Sequence, residues 1–288
     1  MSHASRYRTS RGFTLIESVM VIVIIGVISA VVAVFIRSPV QGYVDTVQRA
    51  QLTDVADVAL RRLSREVRLA LPNSLRVLSA GGMNYIEFIP TSAGGRYRHQ
   101  ADGSSSGNFL SYNDSTVLTF DVLGAMPSSP AMAVNDYIVI NNLGDGYAPG
   151  NAYVAADPCS NCNRAKVAAI SGNVVTLASN PFGGQSPPLP SPNYRFQVVP
   201  SGTKAVTYAC PSSVAGNLSR YANYGFSAVQ AAPGSSPALL ASGVTCVVDY
   251  TSAATGRNGL LYLSLTLTST SNGETISLFQ QVHVDNSP

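Results

Sequence analysis

The sequence predicts an α+β protein. One long amino-terminal helix, first transmembrane and then amphipathic, packs on a carboxy-terminal, antiparallel, β-rich head. Three observations predict it. Residues 19–36 form an apolar run whose only polar member is Ser29. Apolar residues then recur at helical spacing as far as Ala70. From Leu75 onward the period shortens to that of strands.

The chain opens with a largely polar stretch of twelve residues carrying Arg6, Arg8 and Arg11 and no acidic partner. Residues 13–16 and 19–36 together are long enough, at about 1.5 Å per residue, to cross a ~30 Å hydrocarbon core. Basic residues before such a span stay cytoplasmic, which sends the carboxy-terminal bulk outward. Without the three leader arginines, Lys+Arg falls from 18 to the 15 of Asp+Glu. A near-neutral chain with only 11% charged residues offers no basic face for nucleic acid.

Glu17 is wrong for a plain anchor, because a carboxylate at the mouth of an apolar span is costly and usually functional. It either faces the headgroups or awaits a cation on another subunit. A secretory signal peptide cut after Ala33 is the competing reading, and an uncleaved single-span anchor the third. Against it, the apolar run continues past Ala33, and Glu17 interrupts the approach to it.

Gly12-Phe13-Thr14-Leu15-Ile16-Glu17 resembles the type III signal of type IV prepilins and type II secretion pseudopilins. The resemblance implies a leader over residues 1–12, removed by a prepilin peptidase between Gly12 and Phe13. It further implies methylation of the new Phe13 amine, and a Glu17 carboxylate that answers the amine of a neighbouring subunit during assembly. Its implied partners are the peptidase, other major and minor pilins, and an inner-membrane assembly platform. The implied location is the bacterial inner membrane with a periplasmic head, and later the pilus or pseudopilus. No cofactor, metal or catalytic residue is implied.

The transmembrane helix is placed at residues 13–38, with Arg37-Ser38-Pro39 as a kink or short break. Its amphipathic continuation spans 39–72, with Val40, Val44, Val47, Val55, Ala59, Leu63, Val67 and Ala70 near one face. Asp57 with Arg61 and Arg62 with Glu66 are spaced for weak pairs. Pro72-Asn73 closes the helix, and the head takes residues 73–288.

Candidate strands are 85–89, 116–122, 137–141, 166–170, 173–177, 194–199, 204–210, 244–250, 260–268 and 274–284. Asn272-Gly273 favours a tight hairpin turn between the last two. Residues 91–108 and 181–192 are rich in Gly, Ser and Pro and read as long loops. There is no internal repeat and no clear second-domain boundary. Residues 63–74 resemble the J-type minor pseudopilins. Asn142-Leu143-Gly144, Val206-Thr207-Tyr208 and residues 281–288 are similar to O-type minor pilins of the mannose-sensitive haemagglutinin (MSHA) pilus system.

Cys159, Cys162, Cys210 and Cys246 allow three pairings. In an exported head, disulfides Cys159–Cys162 and Cys210–Cys246 are expected, with a zinc site or a redox pair at Cys159-Ser160-Asn161-Cys162 as alternatives. His99 and His283 have no catalytic motif beside them. Ser201-Gly202-Thr203-Lys204 matches S-x-x-K, but it reads as a turn rather than the helix that pattern needs. Residues 141–146 are oxygen-rich without the spacing of a calcium loop. Tyr208, Tyr221, Tyr224 and Phe226 suit either a binding surface or ordinary packing. Two function classes follow, a structural assembly subunit and an adhesin displayed on the filament. An enzyme is not expected.

Overall fold

The computed structural model describes residues 12–99, 106–234, 237–252 and 258–288. Residues 1–11 of the expected leader (1–12) and residues 100–105 of the expected loop lie outside the described residues. Among the described residues one α-helix, α1 (Leu15–Arg68), precedes thirteen strands. These are β1 (Arg76–Ala80), β2 (Met83–Phe88), β3 (Ala93–Tyr97), β4 (Thr119–Leu123), β5 (Tyr137–Val139), β6 (Arg164–Ser171) and β7 (Val174–Leu177). After them come β8 (Arg195–Val199), β9 (Val206–Pro211), β10 (Gly216–Ala222), β11 (Ala238–Thr251), β12 (Asn258–Thr268) and β13 (Thr275–Asp285).

Two compact units divide within α1, the second being Leu52–Pro288. In the first, α1 runs on through Pro39, so of the expected kink or short break the break is not there. Proline removes a single hydrogen bond, and the helical residues on both sides hold the turn. Side chains of residues 15–37 and 39–47 are exposed.

In the second unit, α1 buries Ala56, Ala59, Leu60, Leu63 and Val67 on a sheet carrying Ile86, Phe88, Tyr208, Leu263 and Leu265. The true stripe therefore includes Ala56 and Leu60. Val40, Val44, Val47 and Val55 are exposed. Burial starts only near Leu52, and Val55 is turned about 100° from Ala56 around the helix. Asp57 pairs with Arg61 at 2.8 Å and Glu66 with Arg62 at 3.3 Å. Glu66 lies closer to Arg220 of β10, at 2.8 Å.

The sheet is antiparallel, in the order β1-β2-β9-β10-β11-β12-β13. Strand β12 alternates strictly, burying Leu261, Leu263, Leu265 and Leu267 under the helix. Its link to β13 is longer than a tight turn. Thr268 and Thr275 form the last rung, Ser269 N donates to Glu274 O at 2.8 Å, and Gly273 takes a φ of 72°.

Between β2 and β9, which pair directly, the chain builds a closed barrel in the order β3-β4-β7-β6-β5-β8. Tyr97, Phe120, Ile138, Val167, Phe182 and Phe196 fill it. Strand β3 lies inside the expected loop 91–108. Gly95, the second of its two glycines, is required, because a Cβ there would meet the buried Phe196 ring at 2.6 Å. The expected loop 181–192 is likewise pinned, with Phe182 fully buried. Strands β1 and β10 also lie outside the expected set.

A third apolar cluster, including Leu71, Ile89, Tyr137, Val139 and Tyr153, joins barrel to sheet. Glu87, 1% exposed, accepts from Arg76 Nε at 2.8 Å and from the Tyr224 hydroxyl at 2.9 Å. The Arg76 guanidinium lies 3.7 Å above the Tyr153 ring. Asn142 Nδ2 donates to the Pro72 carbonyl at 2.7 Å, and Asn73 Nδ2 to the Asn142 carbonyl at 2.8 Å. Thus residues 141–146 form a strut to the helix end.

Candidate functional site: the amino-terminal helix

Gly12 and Phe13 precede the helix, and Phe13 is 73% exposed. Thr14 Oγ1 accepts from the Glu17 backbone N–H at 3.3 Å. Thr14 thereby caps the helix, with Glu17 at the third helical position. Thr14-Leu15-Ile16-Glu17 thus has the T-x-x-E form of a capping box, a signal the sequence reading passed over. The cap uses the Glu17 backbone and leaves its exposed carboxylate in the first turn, where the positive end of the helix dipole favours an anion. Phe13 and Glu17 thus lie about one turn apart, immediately before the apolar run.

Among the described residues α1 is the one helix long and apolar enough to cross a membrane, and the apolar window has no buried residue. Residues 7–33 match the family model of the prokaryotic N-terminal methylation motif. The motif supports a type IV pilin-like or pseudopilin amino terminus, and it is structural, not enzymatic. It covers Gly12, Phe13 and Glu17 and most of the apolar run; the head lies beyond it. No curated protein and no solved structure matches the chain. The methylation motif together with the apolar helix points to membrane anchoring.

Elsewhere the structure separates the other candidates. Cys159 is bonded to Cys162 in the loop before β6, and Cys210 of β9 to Cys246 of β11. Arg164, just after the first pair, donates to the carbonyls of Ala152, Val154 and Ala156 and lies 3.8 Å over the Phe226 ring. Burial lowers the pKa of this guanidinium against the opposing pull of Asp157. Sequence spacing gave no sign of this anchor.

The aromatic set does not form one surface. Tyr208 is buried beneath α1, Tyr224 joins Thr207 and Glu87, and Phe226 packs edge-on to Tyr137. His99 stacks on Tyr194 with ring centroids 3.6 Å apart, while His283 is exposed on β13. Ser201-Gly202-Thr203-Lys204 is a turn in which the N–H groups of Thr203 and Lys204 both donate to the Pro200 carbonyl. The helical geometry of an S-x-x-K nucleophile is missing there.

Proposed function

We propose that this chain is a minor pilin or pseudopilin, a structural subunit that primes or tips an MSHA-like type IV pilus. The observation that carries this reading is the methylation motif set directly on an exposed apolar helix. In this reading residues 1–12 are the leader, 13–38 the membrane helix, 39–72 its amphipathic continuation and 73–288 the head. A prepilin peptidase cuts between Gly12 and Phe13 and methylates the Phe13 amine. The chain waits in the inner membrane with its head in the periplasm. It then joins other major and minor pilins through the inner-membrane assembly platform. A head of this size suits a low-copy or tip position, because bulky heads are hard to repeat along a packed filament. A short type II secretion pseudopilus is the variant of the same reading.

The mature protein is expected to begin with N-methylated Phe13. Intact mass and amino-terminal sequencing check this, and a start after Ala33 or retention of residues 1–12 would overturn it.

Glu17 carries the second expectation. An unpaired carboxylate at the mouth of an apolar span is expensive, and the amine of a neighbouring Phe13 neutralises it. Glu17→Gln keeps size and removes charge. Insertion and cleavage should persist while incorporation into filaments falls about tenfold or more, equivalent to ~1.4 kcal/mol. Incorporation equal to the parent would make Glu17 a headgroup-facing residue only.

One observation favours display of an adhesin instead. A cleft of about 910 Å³ opens beside Cys159, with Ser115, Thr116, Ser160 and Asn161 on its wall. A deletion strain separates the roles: lost filaments indicate assembly, and intact filaments with lost attachment indicate adhesion.

A further inference from the structure

The two edges of the sheet are finished differently. Strand β1 has five residues, and residues 227–230 cover it. Arg76 donates to the carbonyls of Ser227 and Ala228 at 2.7 and 3.1 Å. Gln230 Nε2 donates to the carbonyls of Arg76 and Tyr85 at 3.4 and 3.0 Å. Strand β13 has 11 residues and pairs with β12 in unbroken register. Among the described residues no strand pairs with its other side. It holds no Pro, Lys or Arg, and its Phe279 is 71% exposed. Long edges are normally blunted by such residues or by bulges, because unpaired N–H and C=O groups template another strand.

Charge sits beside this open edge. A groove of about 390 Å³ runs between the last turns of α1 and Gln280, at the middle of β13. Arg61, Arg65 and Arg68 line it. Asp57 holds Arg61 at 2.8 Å, whereas Arg65 and Arg68 are exposed and make no ion pair among the described residues. Gln280 shares the helix-facing side of β13 with the groove, and Phe279 takes the opposite side, as strand alternation requires.

The geometry points to β13 as a docking edge for an extended, acidic segment of a partner protein, which adds as a further strand with carboxylates toward Arg65 and Arg68. The partner's alternate, apolar side chains cover Phe279. A second copy of this chain fits poorly. Antiparallel pairing of two β13 strands about Gln280 would set one arginine ridge against the other, and like charges facing each other are unfavourable. The inference holds whether or not the chain enters a filament.

The test uses the full chain in detergent micelles and two fluorescein-labelled peptides of roughly ten residues. One alternates Glu with Val, the other Lys with Val. The glutamate peptide should bind saturably, about tenfold tighter than the lysine peptide, and should slow hydrogen exchange of β13 amides. The preference should shrink at about 0.5 M salt. Arg65→Glu with Arg68→Glu should reverse it with only a small fall in melting temperature, since both side chains are exposed and lose only their interaction with the carboxy-terminal end of the helix dipole. No binding, equal binding of the two peptides, or a preference untouched by the double variant would overturn the proposal. So would a concentration-dependent dimer that excludes peptide, which would assign the edge to a second copy.

Discussion

Cys246→Ser is expected to lower the stability of the head by about 3–4 kcal/mol, and Cys162→Ser by roughly half that or less. The difference follows from loop length. The Cys210–Cys246 bond closes a separation of 36 residues, whereas Cys159–Cys162 closes one of 3. In the chain-entropy account, the longer loop removes more freedom from the unfolded chain. The long link also spans a gap in the sheet. β10 lies between β9 and β11 in strand order, and it begins only at Gly216, opposite Val244. Beyond that rung the bond ties β9 to β11 where no strand intervenes. Both sulfurs are buried in the core under α1. For a unit of this size the longer loop corresponds to a fall in Tm of about 10 °C. Cys246→Ala serves as a control for burying the serine hydroxyl. Thermal melts in which Cys162→Ser is the more damaging change would refute this ranking.

Alkaline pH should unfold the head steeply, with the release of several protons together. Tyr97, Tyr112, Tyr137, Tyr153, Tyr208, Tyr224 and Tyr250 all have raised pKa values, burial being the first cause in each. For Tyr137 the value is pushed up to about 12, with the hydrogen bond to Asp157 adding to burial. The folded state prefers the neutral phenol, while the unfolded chain ionises near pH 10. The stabilisation is therefore complete below about pH 10 and is lost as pH rises toward the folded values. Tyr97, Tyr153 and Tyr208 are essentially inaccessible. Between the unfolded and folded pKa values each such phenol lowers stability by about 1.4 kcal/mol per pH unit. Several such phenols together exhaust a typical net stability of ~5–15 kcal/mol as the pH climbs through this range. Phenolate absorbance should lag at pH 10–11 and then rise together with loss of circular dichroism. A smooth titration centred near pH 10 with secondary structure retained would contradict this.

The helix was legible in the sequence because an uninterrupted apolar run and helical spacing are local signals; T-x-x-E, equally local, went unread. The β12–β13 pair was legible too, because alternating leucines declare one buried face. The closure of the barrel was not, although strands were expected at β4, β5, β6, β7 and β8. Strand β3 is Ala-Gly-Gly-Arg-Tyr, with neither apolar alternation nor strand propensity. The pairings that close the barrel depend on partners distant in the chain. The same limit applies to single side chains. Spacing found Arg62 for Glu66, but the nearer cation is Arg220, brought by a strand 154 residues away. Glu87, Arg76 and Tyr224 come from three separate segments, and no pattern along the chain joins them.

Phe88 and Val206 are Cα partners on one rung. The whole barrel therefore leaves and re-enters the sheet at a single doorway, as the elaborated loop of a two-strand hairpin. The entropy of closing such a loop grows only logarithmically with its length. An insertion of this kind can lengthen, shrink or be exchanged for another folded cargo while β2 and β9 keep their register. The helix-bearing layer, held by its own core, need not change with it. Lineages can diversify what the head presents without renegotiating how it is anchored. Conditions travel with any replacement: a group like the Asn142 carboxamide must still reach the Pro72 carbonyl where the helix ends, and apolar side chains must still cover Leu71 and Ile89.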